Sequence, residues 1–210
     1  MEYKRHFHAE LDRRYPPEVA KPLRAAIDSR FQSIYPSIAF ARTSANPMDR
    51  RLEFCGYFLA TIQTLEARGE SYDDIRSACV NIAHSYVRPT NAFHRWLKSL
   101  PGKLIGFTPL TRLLTWIMSS KTGRKGHPDG FLVQIITDPH ETYGLRYGFD
   151  ILECGICTLF ARHGALHYVP ILCEVDRLTT SMAGLEMIRG GTIAMGAAKC
   201  DFRFQLARKQ

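Results

Sequence analysis

The 210-residue sequence has no run of 18 apolar residues. Its nearest approach, Phe107 to Met118, is broken by Thr108, Pro109, Thr111, Arg112 and Thr115, which argues against a membrane span. The opening residues, MEYKRHFHAELDRR, lack the apolar stretch of an export signal, so a soluble, cytoplasmic protein is expected. No glycine-rich phosphate loop, Ser-His-Asp order or His-Glu-x-x-His motif is present, and no internal repeat is visible. The composition is also not that of a disordered chain. With 45% apolar, 23% charged and 11% aromatic residues, a chain of this size buries roughly 70% of its unfolded surface. A core is therefore expected without disulfides or structural metal.

What is present is unevenly spread. Lys and Arg number 28 against 20 Asp and Glu, a net charge of +8. Residues 1–125 hold 20 of the basic and 11 of the acidic side chains. A basic half can signal nucleic acid. Here the arginines are scattered along amphipathic segments and only Lys121 to Lys125 clusters, so an anionic small molecule, or solubility alone, is the better explanation. We expect neither nucleic acid nor membrane as a partner.

Residues 1–120 read as helical. Val19, Leu23, Ile27 and Phe31 mark a helix over Glu18–Phe31. Asn46-Pro47 resembles a helix start, with Gly69 as its end and Leu52, Cys55, Phe58, Leu59, Ile62 and Leu65 as its stripe. Ser71 with Asp74 forms a capping-box pattern before Ile75, Cys79, Ile82 and Tyr86. Shorter helices are expected over 91–100 and 109–120. After a loop at 121–129 the pattern turns β-branched, with strands at 131–137, 145–152, 186–189 and 199–206 and helices at 154–163 and 169–182. The expected fold is α+β: a helical layer (1–125) packed on a small antiparallel sheet with a helical insertion (126–210), both parts of one domain.

Six cysteines in a chain without an export signal are expected as free thiols. Cys55 and Cys79 fall on apolar helix stripes and read as small core residues. Cys154, Cys157, Cys173 and Cys200 all lie in the last 57 residues. On helices, Cys154 and Cys157 share a face, as do Cys173 and Asp176. On a strand, Cys200 points with Phe202 and Phe204, away from Asp201 and Arg203. A thiol beside a carboxylate suits nucleophilic attack with proton transfer, provided a helix start or similar device favours the thiolate.

The series Cys154…Leu172-Cys173-x-x-Asp176…Gly196-x-x-x-Cys200-Asp-Phe-Arg-Phe204 resembles the L-2-amino-thiazoline-4-carboxylic acid hydrolase family, over about residues 130–206. The resemblance implies a hydrolase that opens a C–N bond of a small cyclic amidine or related heterocycle, and no cofactor. Cys154, Cys173, Asp176, Gly196, Cys200 and Arg203 stand at positions matching the family's pattern. Cys157 looks like an extra thiol. Cys154, Cys173, Asp176 and Cys200 are the catalytic candidates, with Cys154 preferred as nucleophile and Asp176 as proton carrier. Arg203 is the candidate for the substrate's carboxylate, against a purely structural role on the face opposite Cys200. Asp176 could instead pair with Arg177 or Lys199, and Gly196 could serve only a tight turn. His127, His140, His163 and His167 are possible bases that their spacing does not separate.

Two other readings stay open. Cys-x2-Cys-x15-Cys-x26-Cys has the ligand type of a four-cysteine zinc site, although its second pair is widely split. The Gly-x3-Cys-x-Phe ending also resembles 4-vinyl-reductase-type domains, which implies small-molecule binding without catalysis. Metal-free thiols are the expectation.

Overall fold

The computed structural model describes residues 3–88, 108–182 and 184–207. The helix expected over 91–100 lies outside them. Seven α-helices are described: α1 (Lys4–Arg14), α2 (Pro17–Ile34), α3 (Arg51–Ala67), α4 (Tyr72–Val87), α5 (Thr108–Thr122), α6 (Gly155–Arg162) and α7 (Val169–Met182). Four strands, β1 (Leu132–Ile136), β2 (Gly148–Glu153), β3 (Leu185–Ile188) and β4 (Cys200–Leu206), form one antiparallel sheet in the order β1-β2-β4-β3. The architecture is α+β, with every described strand after residue 130. The pair α6–α7 is the insertion between β2 and β3.

Helix α2 follows its expected stripe, burying Leu23, Ile27, Phe31 and Ile34, and its Pro17 occupies the first turn, where a missing N–H costs nothing. Ser71 caps α4, accepting the Asp74 N–H at 3.1 Å. Helix α3 departs from an amphipathic pattern. It buries Leu52, Cys55, Phe58, Leu59, Ile62 and Leu65 together with Gly56, Tyr57, Ala60, Thr61 and Thr64, so nearly its whole circumference is covered. A 3₁₀ segment, Tyr35–Arg42, also packs against it.

Helix α3 begins at Arg51, not beside Asn46. Residues 46–50 form a turn whose polar side chains serve the sheet: Asn46 Nδ2 donates to the Phe131 carbonyl at 2.9 Å, and the Phe131 N–H donates to Asp49 Oδ1 at 2.8 Å. Both backbone groups of Phe131, a buried residue just before β1, are thus satisfied by a turn more than 80 positions earlier.

One face of the sheet is apolar. Phe149 stacks on Phe202 at 4.5 Å and Tyr147 on Phe204 at 5.4 Å, with Val133, Ile151 and Cys200 buried on the same side. These residues join the helices in one continuous core running from Phe7 to Phe204. On the other face Asp150 is buried between Arg203 and Lys199. The register of β1 on β2 slips between Leu132 and Val133, which leaves Leu152 as an extra residue. This bulge lies two residues before Cys154.

Candidate functional site

Cys154 sits where β2 hands over to α6. Its backbone is still extended (φ −108°, ψ 108°), and it occupies the cap position of the helix. The first N–H groups of a helix have no partner within it and point outward along the axis. Here the Ile156 and Cys157 N–H groups and the Cys157 thiol act electrostatically on the Cys154 sulfur and favour its ionised form. The Cys157 thiol does most to hold the Cys154 thiol below its ordinary range, and the two backbone N–H groups add to it, against burial and the nearby Asp176 charge. Cys157 moves the opposite way. Cys154, together with burial, pushes its thiol far up. One sulfur of the pair is thereby prepared to ionise and the other to stay protonated.

Gly155 allows α6 to start at this spot. A Cβ there would meet the Asp129 carbonyl at 2.9 Å, Leu52 at 3.2 Å and Phe131 at 3.3 Å. The far end of the helix is closed by Gly164 in the left-handed region (φ +67°), with the Ala165 N–H returning to the Phe160 carbonyl.

The remaining candidates lie on two further elements. Cys173 and Asp176 lie one turn apart on α7, and Cys200 opens β4. The Cys173 thiol is pushed up to about 12 by burial and by the Asp176 charge. Burial also raises Cys200, although the Ile193 N–H donates to its sulfur at 3.2 Å. Cys200 pairs across the sheet with Ile151, which lies on the neighbouring strand three positions before Cys154.

Cys55, read from the sequence as a core residue, also belongs to this neighbourhood. It is buried on α3, feels Asp176, Cys154 and Cys173, and is pushed up to about 12 mainly by burial. Cys79 is buried elsewhere, near Arg14 and Glu10.

Asp176 pairs with neither Arg177 nor Lys199. Its partners are Arg51, from the first turn of α3, at 3.1 Å, and Arg189, just after β3, at 3.6 Å. Lys199 is taken by Asp150 at 2.6 Å. Burial raises the Asp176 carboxyl above the usual carboxylate range in spite of the two guanidiniums. Arg189 is itself 7% exposed and rests over the Phe202 ring, with its Nη2 donating to the Cys173 carbonyl at 2.9 Å. Its Nη1, also buried, makes no hydrogen bond and faces Asp176 as an ion-pair partner only.

Arg203 stands apart from the thiols. It projects from the opposite face of β4, where Nη1 donates to Asp150 Oδ1 at 2.8 Å and Nη2 reaches Glu141 at 3.4 Å. Gly196 adopts a left-handed φ of +88° at the end of a short 3₁₀ turn, a conformation that favours glycine. Among the histidines, His127 stacks on Phe40 at 3.7 Å, and His167 lies against Tyr168 and Glu66. Sequence reasoning missed Arg51 and Arg189. The only signal for them was the basic excess of the first half, and that concerns Arg51 alone. No three His, Cys, Asp or Glu side chains among the described residues stand together so as to hold a metal ion. Among the described residues, no helix is long and apolar enough to cross a membrane.

The fold is that of an α+β protein, with Cys154 at the start of a helix. The family follows from comparison: a model of the L-2-amino-thiazoline-4-carboxylic acid hydrolase family matches residues 95–204, and the chain belongs to that family. The match covers just over half of the chain and reaches further toward the N-terminus than the short motifs do. No curated protein and no solved structure matches it.

Proposed function

We propose that the protein is a hydrolase that opens a C–N bond in a small cyclic amidine or related heterocycle, with Cys154 as nucleophile. The observation that carries this reading is the position of Cys154 at the cap of α6, with its thiol held below the ordinary range, in a chain of a hydrolase family. The thiolate adds to the carbon of the C=N unit. The adjoining C–N bond then breaks, and the nitrogen leaves with the electron pair and a proton. Water attacks the S-linked carbon and releases Cys154.

Asp176 carries the proton in this reading, since a carboxyl raised by burial can be protonated and still exchange, a role typically worth about 10²–10⁴-fold in rate. Cys173 and Cys200, both raised, line the site in their neutral form. Because Arg203 projects from the face of β4 opposite Cys200, an anionic group on the substrate is assigned to Arg51 and Arg189, which flank Asp176.

Incubation with 2-amino-thiazoline-4-carboxylate and related rings, followed by mass spectrometry, tests the reading. Addition of water is the expected result, and Cys154→Ser abolishes it while leaving the fold intact. An active Cys154→Ser beside a dead Cys173→Ser or Cys200→Ser would move the nucleophile. Tight binding of a hydrophobic ligand without product would favour a ligand-binding protein.

A further inference from the structure

We propose that Cys154 and Cys157 form a reversible dithiol–disulfide site, in which a peroxide oxidises Cys154 and Cys157 closes the S–S bond. Three features of the geometry carry it. The two cysteines are three positions apart across the first turn of α6, one at the cap and one inside the helix. The cap residue and the third residue of a helix lie on one side of its first turn, so the two side chains are neighbours across it. Both are only part-buried, whereas Cys55, Cys79 and Cys200 are buried.

The division of labour matches a dithiol site. The attacking sulfur must be a thiolate, and the resolving one can remain a thiol until its partner is oxidised. Cys154 is the side favoured as thiolate and Cys157 the side kept protonated. In the first step the Cys154 thiolate takes one oxygen from the peroxide, the O–O bond breaks, and the leaving hydroxide is protonated to water. In the second step the Cys157 sulfur attacks the resulting sulfenic sulfur, the S–O bond breaks, and the departing hydroxide leaves as water with the Cys157 proton. An external dithiol reverses the change by returning two electrons and two protons. The dithiol chemistry stands on the pair alone. Its consequence, loss of turnover in the disulfide form, rests on the reading of Cys154 as nucleophile.

The test treats the reduced full-length chain with hydrogen peroxide in the presence of dimedone and maps the tryptic peptides. Cleavage after Arg146 and Arg162 leaves both thiols on one peptide. The expected product is that peptide lighter by two hydrogens, restored by dithiothreitol and free of dimedone. In Cys157→Ser, with circular dichroism as the folding check, Cys154 instead carries the dimedone adduct. A wild-type chain with dimedone on Cys154, with Cys154 linked to Cys173 or Cys200, or with both thiols still alkylatable would overturn the proposal. The peptide mass reads the site whether or not any heterocycle is hydrolysed. Oxidation that forms the disulfide yet leaves turnover intact would count against the nucleophile and not against the pair.

Discussion

The Cys157 thiol does more than any other group to lower the Cys154 pKa. Cys157→Ala should therefore move the Cys154 thiol back toward the ordinary range. Because iodoacetamide reacts with the thiolate, the pH profile of Cys154 alkylation should inflect below the usual cysteine value of about 8.5 in the wild type and shift upward in Cys157→Ala. Labelling near neutral pH then slows, and Cys157→Ser, which keeps a donor, falls between the two. An unchanged profile would mean that the backbone N–H groups hold the thiolate unaided. The Cys154–Cys157 pair was readable in the sequence because three-residue spacing on a helix is a local relation. The Arg51–Asp176 pair was not, since it joins residues 125 positions apart and periodicity does not say which faces meet.

At the scale of elements, local signals were legible and tertiary ones were misread. Ser71 and Asp74 meet within a single turn, and α4 starts where they indicate. Asn46-Pro47 carries the same kind of signal, and Asn46 Oδ1 does accept the Met48 N–H at 3.0 Å, but only a turn follows. Asn46 Nδ2, on the Phe131 carbonyl, and Asp49 fasten the helical layer to the sheet. Asp49→Ala leaves the buried Phe131 N–H without its acceptor. The expected cost is about 1–3 kcal/mol. Thermal denaturation should show a drop of about 2–4 °C for each kcal/mol in a chain of this size. A melting temperature equal to the wild type's would show that the clamp adds nothing. The bulge at Leu152 left no mark in the sequence, because alternation along β2 is the same with or without it.

For the whole molecule, the core that runs from Phe7 on α1 to Phe204 on β4 predicts that the helical layer and the sheet unfold together. In a urea titration, far-UV circular dichroism, dominated by the helices, and reaction of Cys154 and Cys200 with a thiol reagent should give superimposable transitions. Two separated transitions would mean that the halves hold their structure independently. The basic excess of the first 125 residues turned out to be informative in one place, Arg51, which carries positive charge to the Asp176 carboxylate. The near-complete burial of α3 has a further consequence, in time. One of its covers, α6, is made about 90 residues later, and at the usual 5–20 residues per second of synthesis that is an interval of roughly 5–20 s. Throughout it, the nascent chain exposes the surface of α3 that α6 will later occupy, and a chaperone can shield it until then.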